Sequence, residues 1–156
     1  MTLVSIIIAT FNSSHTLPKV LEAINKQTYP KKNLEILIVD GGSTDDTIKI
    51  GKKFGCKIIN NPRVEPVYAK YLGYKQASGR YIMYIDHDEV MTNMKSIANK
   101  INLLRTNPKV KAITGDGYIT PNGYQAINRY INEFGDPFSF FYYHLSKNPD
   151  YFLSSM

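Results

Sequence analysis

Asp86-His87-Asp88-Glu89 sets three carboxylates within four positions, directly after the apolar run 81–85. Carboxylates at the end of a buried strand are costly unless a cation or polar ligand uses them. Asp86 and Asp88 flank one residue, so on an extended or turning backbone both can face one side. Oxygen donors at this spacing suit a hard divalent ion, Mn2+ or Mg2+, which keeps part of its shell for phosphate oxygens. Asp86 and Asp88 are therefore the candidate metal ligands. His87 alternates away from its neighbours and is expected, on this reading, to be a non-ligand histidine. Glu89 either joins the acids or opens the following turn.

Two more polar clusters end apolar runs. Thr10-Phe11-Asn12 follows residues 3–9, and Asp40-Gly41-Gly42 follows residues 34–39. Asp40 can accept hydrogen bonds from a base or ribose, or cap its own turn, and ligand contact is the expectation. The glycines admit the close backbone approach that either role needs. Lys70 and Arg63 precede the acid-bearing run and are the basic groups placed to reach a diphosphate. Asp45 is assigned to the start of a helix. Asp116, Glu133 and Asp136 are weak candidates for a general base.

The elements that must carry these residues read as an alternation. Residues 3–9, 34–39, 57–60, 81–85 and 110–115 read as strands, the first two as runs buried on both faces. Between them, Leu17, Val20, Leu21 and Ile24 recur at helical spacing, with residues 10–14 offering caps and Tyr29-Pro30 a stop. A second helix begins after Ser43 or Thr44 as cap and stops near Gly55. A third carries Tyr68, Tyr71, Leu72 and Ala77, and residues 96–104 form a fourth. Short links between strand and helix give an α/β domain with a mostly parallel sheet. In such sheets ligands bind beyond the carboxyl ends of the strands, where all three polar clusters fall. Residues 1–115 read as regular α/β. Residues 116–156 read as an irregular tail with an aromatic patch at Phe138, Phe140, Phe141, Tyr142 and Tyr143. Together they are expected to form one domain.

A chain of 156 residues supports a real core, and 43% hydrophobic with 21% charged residues is ordinary for a globular domain. No apolar run is long enough to cross a bilayer. Residues 1–10 read as a strand rather than a signal peptide. Cys56 stands alone and is expected to be a small buried hydrophobe, which makes a cytoplasmic setting the default. The net charge of +6 favours anionic partners. The basic residues are scattered and follow no nucleic-acid-binding motif, so no nucleic-acid partner is expected.

Ser5-Ile6-Ile7-Ile8-Ala9-Thr10-Phe11-Asn12 is similar to the opening strand and loop of family 2 glycosyltransferases. Residues 35–45, from Glu35 through Asp40-Gly41-Gly42 to Asp45, resemble that family's nucleotide-binding segment. Ala69-Lys70-Tyr71-Leu72-Gly73 and Ala77-Ser78-Gly79-Arg80-Tyr81-Ile82 resemble the helix and turn before its metal motif. Asp86-His87-Asp88 falls where the family has D-x-D. The four blocks cover about residues 3–90. The resemblance implies a GT-A fold, a Rossmann-like sheet with helices on both faces. It implies inverting, metal-dependent transfer of a hexosyl group from a UDP- or GDP-sugar to an acceptor. It implies that Asp40 and residues 10–12 hold the nucleoside, and that Asp86 and Asp88 organise Mn2+ or Mg2+ and the diphosphate. With Gly41, Gly42, Lys70 and His87, these make up the expected donor-binding set. A lipid-linked or polysaccharide acceptor is implied, with possible work at the cytoplasmic face of a membrane.

The chain departs from the family pattern at Ala9, Phe11, Gly41 and Tyr71, where proline, tyrosine, a second acid and asparagine are frequent. It also stops before the family's usual acceptor region. A donor-binding domain or fragment without turnover is therefore the first alternative. A nucleotidyltransferase is the second, although Thr10-Phe11-Asn12-Ser13-Ser14 lacks that class's glycine-rich basic loop.

Overall fold

A computed structural model describes residues 3–113. Strand and helix alternate through β1 (Val4–Thr10), α1 (Leu17–Asn25), β2 (Leu34–Asp40), α2 (Thr47–Lys53), β3 (Lys57–Asn60), α3 (Pro66–Gln76), β4 (Tyr81–Tyr84) and α4 (Ser96–Thr106). A 3-10 turn at Lys31–Asn33 precedes β2. The strands of the described residues pair in parallel in the order β3-β2-β1-β4. The chain divides into two units at Met1–Lys111 and Ala112–Met156, and all these elements lie in the first.

The sequence of β1 explains its central place. Ile6, Ile7 and Ile8 are fully buried, with even positions facing one layer and odd positions the other. Ile6 and Ile8 pack with Leu17, Val20, Leu21 and Ile24 of α1 and with Ile97 and Ile101 of α4. Ile7 packs with Leu37, Val39, Ile59 and Ala69 on the opposite face. Each such side chain contributes about 1.5–3 kcal/mol by leaving water. Crossovers of one hand put the helices of β1–β2 and β2–β3 on the same face. The return past β1 to β4 then sends α3 to the other face. There α3 lies close because Gly73 has no side chain: a Cβ at this position would stand 2.4 Å from Ile7 Cγ2.

The expected α/β architecture is therefore present, with several local corrections. β1 and β2 each run one residue past their apolar stretch, because the ladder pairs Thr10 with Asp40. β4 closes at Tyr84, although the Ile85 N–H still donates to the Ile7 carbonyl at 3.2 Å. The caps expected from Ser43, Thr44 and residues 10–14 do not form: the residues before α1 and α2 are Thr16 and Asp46, without side-chain cap bonds. Ser43 is turned to Asp40 instead. α1 ends at Asn25, before Tyr29-Pro30, whereas α4 runs on to Thr106. The expected strand at 110–115 is absent from its described part, residues 110–113. There the Val110 N–H donates to the Asn107 carbonyl at 2.9 Å and closes a turn, leaving Val110 exposed. The aromatic patch at 138–143 lies outside the described residues.

A polar knot fastens the amino ends of the strands. One Glu35 oxygen accepts from the Ser5 hydroxyl and from the N–H and hydroxyl of Ser78, and Ser5 Oγ accepts the Gly79 N–H. Burial pushes the Glu35 carboxyl up. The Ser5 and Ser78 donors, aided by Lys57, outweigh it and hold the group below its ordinary value. The unfolded chain therefore takes up this proton first as pH falls. Glu35 contributes its full stability above the unfolded-state pKa of about 4.3. That contribution is lost as pH falls through the lower folded-state value. Glu35→Gln is expected to flatten this acid limb, read as denaturant midpoints compared from about pH 6 to about pH 3.

Candidate active site

The order β3-β2-β1-β4 reverses direction at β1, so the carboxyl ends of β1 and β4 diverge and leave a crevice. A cleft of about 320 Å³ opens beside them. It is lined by Ala9 and Thr10 at the end of β1, by Phe11 just after it, and by Asp86, His87 and Asp88 after β4. Asn61 and Val64 after β3 and Pro66, Ala69 and Lys70 of α3 complete the lining.

Asp40 builds the rim without entering the lining. It is 2% exposed and accepts four hydrogen bonds. Its Oδ1 takes the hydroxyls of Thr10 at 2.8 Å and Ser43 at 2.6 Å. Its Oδ2 takes the N–H groups of Gly42 at 3.0 Å and Ser43 at 2.7 Å. Gly42 has φ +90, a conformation that side-chain-bearing residues rarely adopt. Asp40, expected to contact ligand, thus displays the turn-capping role, because its oxygens are saturated from within the fold. Gly41 and Gly42 also lie outside the cleft lining. Gly41 nevertheless matters to the rim. A Cβ there would meet Val64 Cγ1 at 3.2 Å and Phe11 Cδ2 at 3.4 Å, so its bare backbone lets these two side chains converge.

The loops after β1 and β2 are laced together. The Asn12 N–H donates to Ser43 Oγ at 2.8 Å, and Asn12 Oδ1 accepts the Thr44 N–H at 2.9 Å. Asn12 has φ 47, which asparagine tolerates better than most residues. It therefore acts inside the loop pair and is not part of the lining. The Ser13 N–H donates to Thr47 Oγ, whose hydroxyl donates to Asp45, and Asp45 also accepts the Ser14 N–H. The Thr47 hydroxyl foremost, with the Ser14 and Thr47 N–H groups, holds the Asp45 carboxyl well below the usual range. Asp45 thus supports the entry to α2, as expected.

After β4, residues 86–89 form a reciprocal turn. The Asp86 N–H donates to Glu89 Oε2 at 3.0 Å, and the Glu89 N–H donates to the Asp86 carbonyl at 3.1 Å. Glu89 therefore locks the turn and is absent from the cleft lining, while Asp86 and Asp88 face the cleft. His87 Nδ1 lies 3.0 Å from Thr16 Oγ, which ties the acid loop to the start of α1. Lys70 Nζ lies 3.0 Å from Asp86 Oδ1. Arg63 is turned elsewhere: its guanidinium stacks 4.2 Å above the Tyr68 ring and is not in the lining.

Of the expected donor-binding set, the fold brings together Thr10, Phe11, Lys70, Asp86, His87 and the metal candidate Asp88. Asn12, Asp40, Gly41 and Gly42 support them from behind. Asp116, Glu133 and Asp136 lie outside the described residues. The sequence reading missed Asn61 and Val64. Asn61 is 2% exposed and donates its N–H to the Asp40 carbonyl at 2.7 Å. Its side chain also holds Glu65 and Arg63. The signal was its place, as the first polar residue after β3. Val64 sits at φ 64, an outlier for a β-branched residue that costs on the order of 1–3 kcal/mol. Cys56 is buried, as expected, and burial pushes its thiol up to about 11.

The donor chemistry of the cleft suits a divalent ion only in part-ownership. Asp86 and Asp88 offer carboxylate oxygens, and no group of three or more His, Cys, Asp or Glu that could hold a metal occurs among the described residues. Such a set fits Mg2+ or Mn2+, which takes one or two carboxylates and fills its shell with phosphate oxygens and water.

The chain is similar to known proteins. A glucosyltransferase of Escherichia coli, UDP-Glc:alpha-D-GlcNAc-diphosphoundecaprenol beta-1,3-glucosyltransferase WfaP, is 41% identical over 110 residues, 68% of this chain and 43% of that protein. A Methanococcus voltae enzyme is 34% identical over 128 residues, 74% of this chain and 39% of its own length. It is the dolichyl N-acetyl-alpha-D-glucosaminyl phosphate 3-beta-D-2,3-diacetamido-2,3-dideoxy-beta-D-glucuronosyltransferase. The chain thus spans about two fifths of the length of these curated relatives. The mannosyltransferase PcManGT of Pyrobaculum calidifontis, solved with GDP-Man and Mn2+, superposes with a TM-score of 0.65 at 22% identity. The match covers 74% of this chain and 36% of that one. The fold is that of GT-A transferases. The family model for Glycosyl transferase family 2 matches residues 5–152, nearly the whole sequence, and the chain belongs to that family.

Proposed function

We infer that the cleft binds the diphosphate of a nucleotide sugar, and that the chain is the donor-binding part of an inverting hexosyltransferase. The observation that carries this reading is the meeting of Lys70, Asp86 and Asp88 in one cleft at the switch point of the sheet. Phe11, half exposed at the rim, offers an aromatic face to a base. Lys70 and the amino end of α3 at Pro66 face the cleft with positive charge, which suits phosphate oxygens. Asp86 and Asp88 hold Mn2+ or Mg2+, which when bound offsets charge gathering on the departing nucleoside diphosphate. The acceptor hydroxyl attacks the anomeric carbon as the bond to the diphosphate breaks on the opposite face. A carboxylate takes the hydroxyl proton. Asp116, Glu133 and Asp136 remain its candidates.

The donor is a UDP- or GDP-sugar. The acceptor is a lipid-linked sugar or a polysaccharide, reached at the cytoplasmic face of a membrane. The relatives' own names, a diphosphoundecaprenol and a dolichyl phosphate acceptor, support the lipid-linked form. No helix among the described residues is long and apolar enough to cross a membrane. Thermal shift and calorimetry with UDP- and GDP-sugars, with and without Mn2+, test the donor site, and product assays with the same donors test transfer. Metal-dependent binding is expected. Binding without transfer or hydrolysis favours the second reading, a donor-binding module.

A further inference from the structure

We propose that Lys70 makes the divalent ion and the nucleoside diphosphate bind as a pair, by holding Asp86 whenever both are absent. This rests on the donor-site reading above and adds a coupling to it. Lys70 Nζ lies 3.0 Å from Asp86 Oδ1, and both residues line the cleft. They come from different walls, Lys70 from α3 and Asp86 from the turn after β4. The lysine side chain is 36% exposed and the aspartate 50%, so water reaches the pair and it can exchange partners. Asp86 is also one of two acids in the cleft lining among the described residues.

Lys70 therefore opposes each ligand singly. Against an ion arriving alone, the ammonium group already neutralises Asp86, and displacing it leaves two cationic centres facing each other. Toward a diphosphate arriving alone, Lys70 can turn only by leaving Asp86 bare beside an anion. With both present, Lys70 takes the diphosphate, Asp86 and Asp88 take the ion, and each charged side chain keeps an opposite charge beside it. One ammonium group thus disfavours both half-filled states and favours the filled one. That is positive coupling, and linkage makes it reciprocal. The same logic disfavours retention of the ion once the nucleoside diphosphate departs.

The full chain and its Lys70→Met and Lys70→Arg variants separate the possibilities. Mn2+ binding alone is read by electron paramagnetic resonance of the free ion, and UDP and GDP binding by calorimetry with and without Mn2+. Lys70→Met is expected to bind Mn2+ alone about three- to fivefold more tightly than the parent. The factor by which Mn2+ tightens nucleotide binding is expected to fall about threefold or more. Lys70→Arg, which keeps the charge, should stay close to the parent in both. Unchanged or weaker Mn2+ binding by Lys70→Met overturns the proposal while a parent that binds UDP or GDP with Mn2+ keeps the donor site standing. A parent that binds neither nucleotide with Mn2+ overturns both.

Discussion

Asp88→Asn is expected to weaken Mn2+-dependent UDP binding on the order of 100-fold, about 2.7 kcal/mol, while leaving the fold intact. Asp88 is exposed at the cleft, and the turn that presents it is held by Asp86 and Glu89, so its charge serves the cleft and not the fold. An exposed substitution of this kind changes stability by within about 0.5 kcal/mol, or a shift in Tm of roughly 2–3 °C. Calorimetric titration of UDP with and without Mn2+, beside a thermal melt, reads both quantities. Unaltered metal dependence in a well-folded variant would remove Asp88 from the metal site. The amide keeps the size and one acceptor oxygen of the carboxylate, so the loss reports charge.

Asp40→Ala should act in the opposite way, through the fold first. Two hydroxyls and two backbone N–H groups point at a carboxylate that is 2% exposed. Truncation leaves these donors without their acceptor in a place that water reaches poorly. The expected cost is about 3–5 kcal/mol, a large share of the roughly 5–15 kcal/mol that holds a domain together. Thermal unfolding should shift down by on the order of 10 °C or more. Amide exchange at Gly42 and Ser43 should speed up before global unfolding, because both lose their acceptor. Nucleotide affinity should fall as well, since Asp40 also fixes Thr10 and, through Ser43, Asn12. An unshifted melt would mean that solvent replaces the carboxylate, and Asp40 would then be free for the ligand contact that its position suggested.

These two aspartates show where the sequence was readable. Both stand at the carboxyl end of an apolar run, and both are needed there. Nothing in the two runs distinguishes an acid that faces a cleft from one that is surrounded by its own turn. The difference lies in the pairing of β1 with β2, which sets Thr10 against Asp40 from 30 residues away. Asn61 was missed for the same reason. Its burial and its bond to the Asp40 carbonyl come from β3 lying beside β2, and no local pattern encodes that neighbour. The sequence offered both Lys70 and Arg63 as partners for a phosphate, with Lys70 preferred. The turn into α3 aims one at the Tyr68 ring and the other at Asp86.

The sequence by itself determined the alternation of strand and helix, the two-sided burial of the first strands and the family, because these are written in periodicity and in contiguous blocks of residues. The strand expected at 110–115, absent from its described part at 110–113, marks the limit of that rule: a short apolar stretch forms a strand only where it finds a ladder to join. Tertiary structure alone decided the strand order, and with it the site. Reversal at β1 opens the crevice, Gly73 lets α3 lie on Ile7, and α3 then carries Lys70 to within 3.0 Å of Asp86. The physical reason is that a charge pair between residues 16 positions apart depends on how two elements pack on a shared sheet, which neither segment specifies alone.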